Sequence, residues 1–501
     1  MAIPQAPVAA PQSGLAREMG LLGLVATGVC SMIGAGINVI PFMIQRHTPG
    51  IGPNVLPAFL FAALPAVLAG LAYAILASAM PRAGGSYVYA SRGLDPYLGF
   101  VASFSQWFSL CVAIAVVTYL IGPFLRDVAL AAGSASIAGT LETGAVRVAI
   151  SLAFLWGAVL VNLRGVKAYE RLVVPLMFLT FLLGGVVIVA GFSFDRGAFA
   201  AALQAREGRA VPVMVAPPLT PSILLPASAL LFASFIGFDS IAQAGGEAKR
   251  PGRDLPLAIG IAVVSVGIFY MLFTGAVYHA VPWQFIAAEA PHRDLTAPGL
   301  LGSLLPPAWT VVIVSGAAVA LVKDLPAMLL GVSRLMFAWA EDGIFPPSIA
   351  AVHPRFRTPH VAILASAGMA TLAIVGCHVA GDFFLGVDIL VTSMLVNFLL
   401  MAISVLTLPK RNPALARAVT VLPSRAAQVP LALLAVIVLA VFLGVHTWRD
   451  LNAPVAGWYL RSTPLWFLMI TAGSILYLRE ARKLRRQGVD LAARFATLPP
   501  G

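Results

Sequence analysis

The chain has 501 residues, of which 60% are hydrophobic and only 10% charged, and a formal net charge of +12. A soluble domain is about 25% charged, so this composition excludes a soluble enzyme or a nucleic-acid-binding domain as the main body. The basic excess instead suits the anionic head groups of a lipid bilayer, and no nucleic-acid partner is expected.

In chain order, residues 1–19 are rich in Pro and Ala and read as a disordered tail. They lack the basic start and apolar core of a signal peptide, so the first span is expected to be retained. Twelve apolar runs follow, near 20–44, 53–80, 97–125, 145–163, 172–193, 222–245, 256–279, 308–338, 360–380, 383–408, 429–446 and 464–479. Each approaches or exceeds the roughly 20 residues that a helix needs to cross a bilayer. None alternates as a strand does, so the spans are expected to be helices. Longer loops fall at 194–221 and 280–307, each with room for a short surface helix. Most of the 32 Lys and Arg residues lie in loops and tails on the side of the N-terminus, including Lys249, Arg250 and the basic tail 480–501. By the positive-inside rule both termini are expected to be cytoplasmic, and the expected location is a bacterial inner membrane.

Two spans are interrupted. The first carries SMIGAGIN at 31–38, with Pro41 close behind. Glycine costs a helix roughly 1 kcal/mol against alanine, and two glycines beside Asn38 mark a break. The second break lies in FIGFDSIAQAGGEAKRPGRDLP, 235–256, where small and polar residues crowd the sixth span. Unwound backbone survives in a membrane only where protein or a water-lined cavity satisfies it. Paired Gly-interrupted segments in corresponding halves point to a transporter binding site; the competing reading is two glycine patches for helix packing. The halves would be 20–195 and 222–408, five helices each with opposite orientations, followed by two more helices over 429–479. The expected fold is an all-α membrane protein of about twelve transmembrane helices, a 5+5 inverted repeat with helices one and six broken.

These motifs resemble those of the amino acid–polyamine–organocation transporters, the amino acid permeases that share the fold of the sodium-coupled leucine transporter. IGAGINVIP (33–41) is similar to the family's first helix, and residues 235–256 to its sixth helix and the loop beyond. YAILASAMPRAGGSYVYASRGL (73–94), VNLRGVKAYERL (161–172) and GVSRLMFAWAEDGIFPPSIAAVHPRFRTPH (331–360) add three further stretches in family order. The resemblance implies alternating access, with helices one, two, six and seven moving against three, four, eight and nine. It implies a small-molecule substrate, an amino acid or related amine, and no cofactor. The substrate carboxylate would meet backbone N–H groups of Gly34, Ala35, Gly36 and Ile37, with Ile33 alongside. The substrate amine would meet carbonyls around Ala233, Ser234 and Phe235, near Gly237. Relatives place an aromatic gate where Ala233 stands; here Phe232, Phe235 or Phe238 would have to serve. Asn38 either bonds substrate or caps the unwound backbone, and Asp239 either braces neighbouring helices or touches substrate. Ile75 and Gly246 stand where relatives carry acids, so the inner gate lacks two of its usual carboxylates.

The eighth span holds Lys323 and Asp324 side by side, with Pro326 just beyond. An ionised side chain at this depth costs about 2.5–3.5 kcal/mol on the most lenient scale. Successive helical residues point about 100° apart, so each is expected to find a different partner. Counted from the GVSR motif, both fall where sodium-coupled relatives carry hydroxyl residues at a sodium site. Sodium-independent members of the superfold place an ammonium there, usually from helix five, which here has no lysine. Lys323 is therefore expected either as a built-in cation or as a strut to a carboxylate. The three cysteines are far apart in apolar segments, and the spans hold no HExxH, GxGD or nucleophile–base pair. No enzyme activity and no metal site is expected. The reading that results is a sodium-independent amino acid transporter, proton-coupled or an exchanger. The alternatives are a polyamine or organocation transporter, or a non-transporting sensor. Nothing in the sequence sets an oligomeric state.

Overall fold

The computed structural model describes residues 14–380, 384–455 and 457–499. Its described residues form helices without a strand; pairing outside helices is limited to isolated bridges at Met19–Ala248 and Ala83–Ala244. Eleven of these helices are long and apolar enough to cross a membrane. A twelfth, Ser462–Arg486, has the length, but its last turns carry Lys483, Arg485 and Arg486.

The spanning elements are labelled here in chain order. Helix α1 is split into α1a, Leu21–Met32, and α1b, Ala35–His47. Then come α2, Val55–Ala79, α3, Pro96–Ala131, α4, Gly144–Leu163, and α5, Val166–Ser193. Helix α6 is split into α6a, Pro221–Leu231, and α6b, Ser240–Gln243, with a 3-10 turn at Phe232–Phe235 between them. The chain continues through α7, Pro251–Ala280, α8, Pro307–Glu341, α9, His360–Ala380, α10, Phe384–Arg411, and α11, Arg425–Leu451, to α12, Ser462–Arg486. The loop after α5 carries the helix Arg196–Glu207, and the loop after α7 carries Trp283–Glu289 and Ala297–Leu301.

Helix α3 packs along α8, α9 and α10, while α2 packs along α7 and α6a. Helix α1a lies between α7, α8 and α5. The two broken helices run antiparallel, since α1a touches α6b and α1b touches α6a. Their breaks therefore meet at one level.

The end of the bundle that bears both termini is closed by polar bonds. Buried Arg334 at the end of α8 pairs with buried Glu247 beyond α6b. Arg92, in the short helix Gly85–Gly93, makes a two-pronged ion pair with Asp342, at 2.6 and 2.8 Å. This end thus has an ion pair despite Ile75 and Gly246, because Glu247 supplies the carboxylate. Buried Gln106 of α3 ties this end to both sides: its Oε1 accepts from Ser86 and Gln243, and its Nε2 donates to Asp239.

Both terminal segments dock here. Of the tail expected to be disordered, residues 1–13 lie outside the described residues. Residues 14–19 are packed, with Leu15 and Met19 buried and Met19 exchanging backbone hydrogen bonds with Glu247 and Lys249. Two buried apolar side chains and a pair of backbone hydrogen bonds hold this stretch down. At the other terminus, Arg92 Nε donates to Thr497 O at 3.2 Å and Arg82 Nε to Pro499 O at 3.1 Å. Asn412 donates to Ala496 O, and the Arg92 guanidinium lies 4.9 Å from the Phe495 ring centre.

Candidate functional site

A helix that stops mid-membrane leaves its last four carbonyls without intrahelical partners. For α1a these belong to Cys30, Ser31, Met32 and Ile33, and side-chain donors reach three of them, all but Ser31. The Lys323 ammonium donates to Cys30 O at 3.2 Å, to Ile33 O at 2.5 Å and to Asp324 Oδ1 at 3.1 Å. An ammonium has three protons, so this donor set is complete. The Tyr270 hydroxyl of α7 lies 2.5 Å from Met32 O and 2.9 Å from Ser234 O, bridging the two breaks with one proton between them. Ser31 O meets the backbone of Gly237, where an added Cβ would sit 2.4 Å from that oxygen. Gly237 also has φ +134°, which side chains rarely adopt, so glycine is required there twice over.

Lys323 and Asp324 do pair, contrary to the expectation from their adjacency. The reason is the lysine's length: its stem bends toward the carbonyl end of α1a, and Asp324 reaches the same point. Lys323 is fully buried and Asp324 is 3% exposed. The Asp324 carboxylate lies hard against Gly34, where a Cβ would fall 1.6 Å from Oδ2. Gly34 is therefore a close-approach glycine. Pro326 leaves its own carbonyl to Asn162 of α4, at 3.1 Å.

Between the breaks is a cavity of about 70 Å³. Of the residues expected at a substrate site, Gly34, Gly36, Ala233 and Ser234 line it, and so does Asp324. The hydroxyl of Ser234 is buried without a hydrogen-bond partner. Ala35 opens α1b beside them.

The other expected residues face elsewhere. Ile33, Ile37 and Asn38 border a separate cleft of about 20 Å³ toward Thr180 and Phe269. Asn38 donates to Gly34 O at 3.1 Å, capping the break. Phe232 stacks edge-on against Phe398 and Phe442, Phe235 packs with Phe59 and Tyr270, and Phe238 with Tyr73 and Phe398. None of the three rings lines the cavity, because the 3-10 turn and Gly237 direct them into aromatic clusters among α2, α7, α10 and α11. Asp239 accepts from Gly237 N at 3.1 Å and from Gln106, so its bonds brace α6 against α3.

Sequence reasoning missed the apolar walls. Val116, Val117 and Leu120 of α3, Val387 and Leu390 of α10, Met328 of α8 and Ile236 all line the cavity. Among the described residues no aromatic side chain lines it. On the side away from the termini, Val39 and Leu120 also border a wide vestibule of about 600 Å³. These two aliphatic residues are the ones the two linings share. The described residues hold no cluster of ligands suited to a metal.

Comparison with known proteins agrees with this architecture. The profile described as amino acid permease matches residues 19–477. The chain is 31% identical to the branched-chain amino acid permease BcaP of Bacillus subtilis, over 38% of this chain and 40% of that one. It is 30% identical to an uncharacterised transporter of Mycobacterium tuberculosis, over 72% of this chain and 74% of that one. A third similar protein is the low-affinity putrescine importer PlaP of Escherichia coli, 25% identical over 63% of each chain. With broken helices closing on one central cavity and a family profile running through nearly all of its spans, the chain is an integral membrane protein belonging to the amino acid permease family.

Proposed function

We propose that this permease is a secondary transporter of amino acids that works by alternating access without sodium. The two sets of five helices are read as inverted repeats, with the termini cytoplasmic. The observation that carries this reading is the Lys323 ammonium, bonded to Cys30 O and Ile33 O at the end of α1a. A fixed cation there does what a bound sodium ion would do: it joins α8 to the broken helix and neutralises the negative end of the α1a dipole. The lysine's three protons are already used, so a metal cation would have to compete with a covalently tethered charge for the same carbonyls.

The alternative substrate, a polyamine, draws on the similarity to a putrescine importer. A diamine places a second ammonium in the cavity, where Asp324 is the one acid on the lining among the described residues. An amino acid fits this charge pattern better.

The test is uptake into vesicles containing the purified protein, with sodium exchanged for choline at constant ionic strength. Uptake of apolar amino acids is expected to be unchanged by sodium, and Lys323→Met is expected to lose at least ten-fold of net transport. Sodium-stimulated uptake by the unmodified protein would overturn the built-in cation. Binding without any transport would favour the sensor reading instead.

A further inference from the structure

We propose that Asp324 Oδ2 is the anchor for the substrate's ammonium group, which makes this residue the determinant that selects α-amino acids with apolar side chains. The inference rests on the amino acid reading above and assigns its polar subsite.

Four observations converge. First, one oxygen of Asp324 is spoken for and the other is open. Oδ1 accepts from Lys323, while no hydrogen bond from the described residues is made to Oδ2, which lies against Gly34, and both residues line the cavity. Second, Lys323 has no proton left to turn toward a ligand, because its other two bonds go to Cys30 O and Ile33 O. Third, two of the α6 carbonyls that the family resemblance offers to an amine already have a protein donor within reach. Ala233 O accepts from Ile236 N at 3.3 Å, and Ser234 O lies within reach of Tyr270. Fourth, Ser234 lines the same cavity, and its hydroxyl is buried and unpartnered. A buried polar group without a partner is costly, and a ligand with a polar head would supply one.

The position of the anion matters as much as its presence. Asp324 Oδ2 touches Gly34, the residue that caps the N-terminus of α1b. The first N–H groups of that helix are free donors with a partial positive charge. Acceptor and donors are thus neighbours, as are the ammonium and carboxylate of an α-amino acid. A zwitterion can satisfy both at once, with Ser234 Oγ beside them. A carboxylic acid without the amine would bring its charge against Asp324 with nothing to offset it. A substrate with a charged side chain would have to bury that charge among Val116, Val117, Leu120 and Val387, at a large desolvation cost.

The test uses the full-length purified protein and equilibrium binding of L-alanine, L-valine and L-leucine, each beside its deamino counterpart (propionate, 3-methylbutanoate, 4-methylpentanoate). The unmodified protein is expected to prefer each amino acid to its deamino partner by about 30-fold or more, as for a buried charge pair. Asp324→Asn is expected to weaken the amino acid by a similar factor and to erase most of that preference. If Asp324→Asn does not remain monodisperse, Lys323→Met/Asp324→Asn removes both charges of the pair and carries the same comparison. Ser234→Ala is expected to weaken the amino acids by a smaller factor, about five-fold. Undiminished binding with intact preference in either aspartate variant would overturn the assignment while leaving the amino acid reading in place. Failure of the unmodified protein to bind any amino acid in the panel would overturn both.

Discussion

The two ends of the central cavity are closed by different chemistry. Toward the termini, closure runs through buried ion pairs, Glu247–Arg334 and Arg92–Asp342, through the Gln106 bonds, and through both terminal segments. Toward the vestibule the residues shared by the two linings are aliphatic, Val39 and Leu120. Buried ion pairs are cooperative: breaking one partner leaves an uncompensated charge, so such a closure opens all together or not at all. An aliphatic layer has no such threshold, because each side chain can move by a rotamer at modest cost. The conformation described here is therefore firmly shut on the terminal side and thinly shut on the other. In the alternating-access reading, the large free-energy step is the opening of the terminal side.

Three experiments break or sharpen this contrast. The largest effect is expected from Arg334→Met, which strands Glu247 in the interior. Losing one partner of a buried pair costs about 3–5 kcal/mol, read as a lower thermal midpoint. Adding Glu247→Leu should recover most of that loss, since neither charge is then buried. A single variant as stable as the unmodified protein would show that the terminal closure does not depend on this pair.

A smaller effect is expected from Leu120→Ala. The side chain borders empty space on two sides, so the cost should fall near the low end for a buried leucine, about 2 kcal/mol. Its functional mark should be larger: a Ser234→Cys probe should react faster with a polar thiol reagent added from the vestibule side. Unchanged reactivity would mean that Leu120 is not the barrier.

The smallest effect concerns acid. Burial alone would raise the Glu289 carboxyl, but hydrogen bonds and charges from Arg209 and Arg293 hold it below the usual glutamate range. A depressed value means that the clamp stabilises the loop above the unfolded pKa, about 4.3. That contribution fades as pH falls through the lower folded value. The protection of Trp283–Glu289 against hydrogen exchange, taken relative to the intrinsic amide rate at each pH, should be flat between about pH 5 and 8 and fall below about pH 4. Glu289→Gln should remove the acid step and leave the terminal closure untouched.

How much of this was readable from residues alone differs between the same two regions. Breaks show in a sequence because glycine beside polar residues in an apolar run contradicts both helix propensity and lipid solvation, and Gly34, Gly36 and Gly237 all fall at the observed breaks. Lys323 and Asp324 stand out for the same reason. The walls do not: Val116, Leu120 and Val387 line a cavity, yet in sequence they match lipid-facing or packed residues. The Glu247–Arg334 pair was equally hidden, since its partners lie 87 positions apart and on separate elements. Asn38 shows the limit of reading a polar residue by type alone. One turn of helix decides whether its amide reaches the cavity or, as here, Gly34 O.

The C-terminal segment has a practical consequence. Residues 496, 497 and 499 accept hydrogen bonds from Asn412, Arg92 and Arg82, which sit beyond α10, in Gly85–Gly93 and just after α2. Arg494 adds a bond to Glu341 O at the end of α8. Four separately anchored elements thus hold one short peptide, and it fits all of them only at their present spacing. The segment is in effect a gauge of that spacing. A spectroscopic label pair spanning Arg494 and the end of α10 should report the width of this mouth in real time, with no ligand and no probe inside the cavity.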